Sequence, residues 1–234
     1  MWLLIRLSSH FHLVQFQVDE YEFLYVHAYS SEIGTWSHNQ TDEQEGEGQL
    51  EGWDQVRFDL ADPNPLCPFV NGFLHLIVWG ENWGKDDKTV ALDVHGKSRR
   101  MITVPHVPDN RSYMGCIGES QGQLHYMTQE TLDVHEGKYK LSIWVLQDYD
   151  ANEWVLKHTV NTHEVFGEDS CTDCTPGFVV VDIHQDRDVV FFADLVGRKL
   201  VAYNMGNKEA SIISTFDGQE RLVVEGTARY VPCF

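Results

Sequence analysis

The chain has 234 residues, of which 42% are hydrophobic and 12% aromatic, and it carries a formal charge of −19 at pH 7. This length and composition allow a large buried core and exclude wholesale disorder. Nucleic acids and anionic membranes attract clustered Lys and Arg, whereas here 36 acidic residues face 17 basic ones. We therefore expect neither nucleic acid nor membrane as a partner.

The first residues, MWLLIRLSSHFHLV, form a short apolar run that Arg6 interrupts. No basic leader precedes this run and no small-residue cleavage site follows it. We therefore interpret it as neither a signal peptide nor a membrane span. The five cysteines are odd in number and irregularly spaced, which fits a reducing compartment. The expected location is cytoplasmic or nuclear.

Alternating apolar and polar residues predict strands along most of the chain, and no segment has convincing helical periodicity. Tight polar turns rich in Gly, Asn, Asp or Ser divide the strands into four groups. The groups cover approximately residues 11–40, 69–105, 114–160 and 177–215, and a further strand is predicted at 227–234. The first group has three strands and the others have four, so we expect the terminal strand to complete the first group.

A hairpin is clearest where LSIWVL and EWVLKHTV flank the turn DYDAN. Similar hairpins begin at Leu24, Thr89 and Lys199. Their spacing of roughly fifty to sixty-five residues is typical of kelch-like propeller blades. The sequence thus predicts one all-β domain over residues 1–234. Its fold class is a β-propeller of about four kelch-like, four-stranded blades, either a partial propeller or a small closed ring.

The long connections between predicted strands all fall on one face of such a propeller, at 38–68, 81–88, 106–114, 128–139 and 161–177. Loops on a rigid scaffold concentrate binding residues, so we expect the binding site on this face. Exposed tryptophans rimmed by carboxylates suit a basic peptide, because Trp is a favoured anchor and acids steer association. The predicted partner-binding residues are Trp53, Trp83, Asp86, Asp87, Glu130, Asp133, Glu168 and Asp169.

A simpler interpretation of this face also stays open. The loop tryptophans would then pack beneath their own loops, and the acids would only keep the protein in solution. The tryptophans on predicted strands are interpreted as core or inter-blade packing, where aromatic rings bury large areas. These are Trp36, Trp79, Trp144 and Trp154.

Several ordered motifs carry a family resemblance: FVNGFLHLIVWG, VALDVHGKSRRMITVP, IGESQGQLHYMTQ, LSIWVLQDYDANEWVLKHTV, VVVDIHQDRDVVFF and RYVPCF. The chain resembles, over essentially residues 11–234, the F-box-associated, kelch-like propeller region of plant F-box proteins. The resemblance implies a substrate-binding propeller of a cullin-type ubiquitin ligase, with a protein substrate and no catalysis of its own. In such proteins an N-terminal F-box docks on the ligase adaptor.

The sequence before Phe11 is too short for an F-box, so a truncated product is expected. The cullin-ligase adaptor is then a partner only if an F-box is supplied elsewhere. Two alternatives remain. One is a non-functional truncated fragment, and the other is a propeller glycan hydrolase that uses channel-facing carboxylates.

Candidate carboxylates for a hydrolase are Asp93, Asp182 and Asp194, although simple strand exposure explains the first two. Cys171 and Cys174 have the spacing of half a zinc site, but a structural zinc site usually takes a second such pair. The sequence has no Gly-x-Ser-x-Gly elbow, and no Gly-rich phosphate loop follows a strand into a helix. We therefore expect no catalytic residue, no metal and no cofactor.

Overall fold

The computed structural model describes residues 2–7, 9–18, 24–40, 67–78, 87–95, 99–105, 112–133, 138–166, 171–172 and 175–217. Within these residues, four antiparallel sheets of four strands each follow one another, and the strand order inside every sheet is sequential. Sequential four-stranded meanders are the blades of a propeller, so the predicted fold class is confirmed. The chain divides into two compact units, Met1–Ala61 with Cys67–Asn110, and Asp62–Leu66 with Arg111–Phe234.

The first sheet of the first unit contains four strands. They are β1 (Trp2–Leu7), β2 (His10–Val18), β3 (Leu24–Ser30) and β4 (Thr35–Gln40). This corrects the expectation of three strands from residue 11, because β1 pairs antiparallel with β2 and buries Ile5. Arg6 interrupts an apolar run but not the two-residue alternation of a strand. These four strands make up the sheet within the described residues, and the strand predicted at 227–234 lies outside them.

The second sheet of the first unit matches the group predicted at 69–105. Its strands are β5 (Phe69–Val70), β6 (Phe73–Val78), β7 (Lys88–Asp93) and β8 (Arg99–Thr103). Asn71 and Gly72 both have positive φ, 53° and 84°, as a type I′ hairpin turn requires. Aliphatic side chains of both sheets form one core, which includes Val14, Val26, Leu74, Leu76, Val90 and Leu92.

The third sheet, in the second unit, matches the group predicted at 114–160. Its strands are β9 (Ser112–Ser120), β10 (Gln123–Asp133), β11 (Lys138–Asp148) and β12 (Glu153–Asn161). The connection expected at 128–139 is wrong, because both strands extend into it and only 134–137 separates them. The segment is polar, which suggested a loop, but its residues pair with β11 through a bulge near Thr131.

The fourth sheet follows a five-residue helix, α1 (Thr162–Phe166), and a small hairpin of β13 (Cys171–Thr172) and β14 (Thr175–Pro176). Its strands are β15 (Phe178–Ile183), β16 (Val189–Asp194), β17 (Lys199–Asn204) and β18 (Glu209–Thr215). The prediction placed this group at 177–215. In the part of the chain that the structure describes, no helix is long and apolar enough to cross a membrane.

The core of the second unit combines the third and fourth sheets. Phe178 lies at its centre, with ring centroids 4.9 Å from Phe166 of α1 and 5.9 Å from Phe192 of β16. The helix was not predicted, since five residues are too few to show a 3.6-residue period. Other buried members of this core are Met127, Leu141, Ile143, Val160, Ile183, Val190 and Tyr203.

Three hairpin turns in the second unit share one construction. In each turn, a side-chain oxygen accepts hydrogen bonds from the backbone N–H groups two and three residues further along the chain. The residue four positions after the acceptor adopts positive φ. The acceptors are Asp148, Asp194 and Asn204. The polar residues that predicted these turns in the sequence therefore stabilise them through hydrogen bonds to the backbone.

Candidate protein-binding surface

The structure describes three of the eight predicted partner-binding residues. Asp87 is only 3% exposed and directly precedes β7. Glu130 and Asp133 lie on β10 instead of in a loop. The other five lie outside the described residues: Trp53, Trp83, Asp86, Glu168 and Asp169. The predicted site on the loop face therefore stays a prediction.

Glu130 already has partners within its own sheet. One carboxylate oxygen lies 2.9 Å from Lys140 Nζ, and the other accepts a hydrogen bond of 3.0 Å from Ser142 Oγ. These partners stand on the neighbouring strand β11, so the contacts are cross-strand pairs of the kind that stabilise sheets. The described role of this carboxylate is to join two strands.

The carboxylates considered for glycan hydrolysis each accept a backbone N–H close by in the chain. Asp93 accepts from His95, Asp182 from Ile183, and Asp194 from the turn that follows it. Among the described residues, no group of three or more His, Cys, Asp or Glu side chains is arranged to hold a metal ion. Cys174 and the side chain of Cys171 lie outside the described part.

Three aromatic side chains lie next to one another on adjacent strands of the first sheet. Tyr29 of β3 is directly opposite Trp36 of β4, and their ring centroids are 5.3 Å apart. Phe11 of β2 lies 6.0 Å from Tyr29 on the other side. Trp36 is 43% exposed and Phe11 is 39% exposed, although rings of this size usually bury more of their area. We call these three residues the aromatic ladder.

The β3–β4 turn holds the ladder in place. Ser31 donates its backbone N–H to Phe11 O and accepts the Phe11 N–H on its Oγ, at 2.9 and 2.8 Å. Gly34 closes the turn with a φ of 67° and an N–H bond of 2.9 Å to Ser30 O. Glu32 and Ile33 stand exposed on this turn, the latter at 66%. The result is an exposed apolar surface.

The alternation of the strands explains why the ladder faces outward. Val26 and Ala28 of β3 are buried in the core, so Tyr29, which follows Ala28 in the strand, lies on the opposite face. On the core side, the ring of His12 meets that of His95 at 5.2 Å, and burial lowers the pKa of His12. The ladder therefore stands on the face of the first sheet that its own core does not use.

Trp36, which the sequence placed in core or inter-blade packing, is not part of the core described for the first unit. Trp154 occupies the same second position of the outer strand in the third sheet, and it is half-buried against the buried ring of Tyr126 at 6.1 Å. Trp36 is instead exposed beside Tyr29. The signal that could have shown this is the strand LYVHAYS, whose small aliphatic residues alternate with Tyr and His.

Four sequential meanders of four strands each make this protein a β-propeller of about four blades. The family described as "F-box protein At3g26010-like, beta-propeller" matches residues 7–228, and the chain belongs to that family. The resemblance inferred from the sequence motifs is thereby confirmed, and the family supports a protein-interaction propeller.

No curated protein matches the sequence. Among solved structures, the chain is similar to an acylaminoacyl peptidase of Pyrococcus horikoshii, with 8% sequence identity and a TM-score of 0.44. The match covers 92% of this chain and 32% of the peptidase chain, so the chain spans about a third of the peptidase's length.

Proposed function

We propose that this chain is a protein-recognition module, which holds a protein substrate as the propeller of an F-box subunit does for a cullin-type ubiquitin ligase. The observation that carries the proposal is the family match over residues 7–228. Its function is binding without catalysis. The ligase adaptor becomes a partner where an F-box is supplied elsewhere, and the module acts in the cytoplasm or nucleus.

The aromatic ladder is the described surface that best suits this role. Trp and Tyr are the residues that most often contribute large binding energies at protein interfaces. The three rings are fixed on strands, so little side-chain entropy is lost when a partner covers them. The predicted loop-face site around Trp53 and Trp83 belongs to the same proposal, as a second surface for a basic peptide.

Affinity capture with matched variants tests the proposal. The tagged chain is expressed in its own cells, crosslinked, and compared by quantitative mass spectrometry with Trp36→Ala and Trp83→Ala. We expect a defined set of protein partners that at least one of these variants loses. Leu132→Ala is the control, because Leu132 is also an exposed apolar residue but lies on β10, which belongs to the other unit.

Recovery of the cullin adaptor is assessed separately from recovery of the other protein partners. Recovery of the cullin adaptor together with specific partners supports a working ligase subunit. Specific partners without the adaptor support a binding module alone. Recovery of chaperones only, from a chain that unfolds cooperatively when purified, contradicts the recognition function.

A further inference from the structure

Two histidines from different sheets of the first unit lie side by side. His12 is on β2 of the first sheet, and His95 follows the end of β7 in the second sheet. Their ring centroids are 5.2 Å apart and their ring planes are nearly perpendicular, at 84°. Histidine is the commonest metal ligand among the side chains, because each neutral ring has one nitrogen lone pair. The two rings therefore form a candidate metal site.

The Nδ1 atom of His12 gives this pair a chemical need. His12 is only 4% exposed, its Nδ1 is buried, and no described residue makes a hydrogen bond to that atom. Buried polar atoms in folded proteins nearly always have a partner, and leaving one without a partner is destabilising. A metal ion shared with His95 would supply the missing interaction.

The distance between the rings fits one shared zinc ion. Zn²⁺ binds an imidazole nitrogen at about 2.0–2.1 Å and prefers tetrahedral geometry. The ring centroid lies about 1.1 Å beyond the bound nitrogen, so two rings on one tetrahedral zinc have centroids about 5 Å apart. The observed 5.2 Å meets this requirement. Edge-to-face packing of two rings has the same spacing, so it is the buried Nδ1 that favours a ligand.

The backbone of His95 is held from both sheets. Its N–H donates to Asp93 Oδ1 at 3.0 Å, and its carbonyl oxygen accepts a hydrogen bond of 3.3 Å from Ser37 Oγ of β4. A ligand fixed in this way binds a metal with little loss of conformational freedom. His95 is also exposed, so an ion can reach the pair from the solvent on its side.

We propose that His12 and His95 bind one zinc ion, which joins the two sheets of the first unit and has its remaining coordination positions open to solvent. This proposal does not depend on the proposed recognition function. Among the described residues no group of three His, Cys, Asp or Glu is arranged for a metal, so the site has two protein ligands and its ion is exchangeable.

The charges around His12 suit a cation. Burial and the neighbouring His95 lower the pKa of His12, whereas the charge of Glu32 raises it and His10 lowers it further. His12 is consequently neutral at pH 7, which is the form that binds a metal. Glu32 is the carboxylate that acts on His12, and its negative charge favours an ion at this position.

Isothermal titration calorimetry with ZnCl₂ at pH 7 tests the proposal. The full chain carries Cys171→Ser and Cys174→Ser, because that pair has the spacing of half a zinc site and would compete for the ion. We expect one zinc ion to bind per chain. Zinc should also raise the urea concentration at the midpoint of unfolding, since it binds the folded state, whereas Mg²⁺ prefers oxygen ligands and should have no effect.

Histidine variants of the same chain locate the ion. His95→Gln and His12→Gln should each weaken zinc binding by at least about tenfold, a loss that removal of an outer-shell partner alone can cause. His95 is exposed, so His95→Gln decides the result if the buried variant fails to fold. Glu32→Gln should weaken binding by about threefold. His163→Gln, at an exposed position of α1 in the other unit, is the matched control and should bind normally.

Three results would overturn the proposal. The first is zinc binding that His95→Gln leaves unchanged, which would place the ion elsewhere. The second is the lack of saturable binding in the chain without Cys171 and Cys174, which would assign any zinc bound by the wild type to these thiols. The third is a crystal structure with zinc whose anomalous scattering peak lies away from the rings of His12 and His95. None of these results bears on protein recognition, which the affinity capture tests separately.

Discussion

Lys157 Nζ lies 2.8 Å from Asp188 Oδ1, which connects the outer strand of the third sheet to the β15–β16 turn of the fourth. The same carboxylate oxygen accepts a hydrogen bond of 3.1 Å from Gln121 Nε2. Two backbone carbonyls of the same turn accept further hydrogen bonds. His184 O accepts one from Ser120 Oγ, and Gln185 O accepts one from Gln121 N–H. One turn therefore joins two blades of the second unit through polar contacts.

We expect Asp188→Asn to reduce the free energy of unfolding by about 1 kcal/mol, because the pair is only half-buried and solvent screens it. A double-mutant cycle with Lys157→Gln, measured by urea unfolding at pH 7, should give a coupling of about 0.5 kcal/mol. Asp186→Asn, an exposed neighbour in the same turn, is the control. A coupling indistinguishable from zero would show that the ion pair does not join the sheets.

The hydrogen bond and charge of Lys157 also lower the pKa of Asp188. Its contribution to stability is therefore present above the ordinary carboxyl pKa. That contribution is lost as the pH falls through the lower, folded-state value.

Another acid-sensitive group lies in the first unit, where His75 is fully buried on β6 with its Nδ1 3.3 Å from Pro68 O. Burial lowers the pKa of His75 to about 4 from an ordinary value of 6.5. Above pH 6.5 the side chain is neutral in both states. Between these values only the unfolded chain takes up the proton, so acid favours unfolding, by up to about 3 kcal/mol at pH 4.

Urea unfolding at pH 7.0 and pH 4.5 measures this effect. The loss of stability between the two pH values should be about 2 kcal/mol smaller in His75→Gln than in the wild type, whatever the variant's stability at pH 7. His163→Gln, at an exposed position of α1, should keep the wild-type pH dependence. An unchanged pH dependence in His75→Gln would mean that His75 is protonated while folded.

The hairpins were predictable from sequence because their turns depend on local chemistry. Asn71-Gly72 and the Asp148 turn specify their own backbone conformations, so three of the four blades could be placed to within a few residues. The candidate surface was not predictable in the same way. Whether Trp36 is exposed depends on which face of the sheet meets another sheet, and that is a tertiary contact.

Polar strands were the other source of error. Glu130 and its neighbours lack apolar alternation, and their strand conformation depends on pairing with β11, which lies on the far side of a connection. Similarly, β1 carries Arg6 in a short run that only its pairing with β2 identifies as a strand. The local sequence alone does not identify these neighbouring strands.

The Asp194 turn offers a direct test of local chemistry in this fold. Asp194 Oδ1 accepts the N–H groups of Val196 and Gly197, at 3.1 and 2.7 Å. Asp194→Ala removes both acceptors and should cost about 1–2 kcal/mol in the free energy of unfolding. Asp194→Asn should cost less than half of that, since Asn204 performs the same role in the β17–β18 turn. Equal costs for Ala and Asn would show that the carboxylate acts through its charge.

The close approach of the third and fourth sheets depends on Gly118 of β9. A Cβ at this position would lie 2.7 Å from Ile183 Cγ2 and 3.4 Å from Met127 Cε, and all three residues are buried. Gly118→Ala must therefore push Ile183 or the backbone aside, which should cost about 1–3 kcal/mol in the free energy of unfolding.

The partner variant Ile183→Ala removes Cγ2 and should cost about 2–5 kcal/mol by itself through the cavity it leaves. In the double variant the added methyl group occupies part of that cavity. The two costs should consequently sum to at least about 1 kcal/mol more than the cost of the double variant, as measured by urea unfolding at pH 7. If the costs of the two single variants simply add, the sheets separate at Gly118 and the added methyl group does not press on Ile183. The contact between these residues would then not set the spacing between the blades.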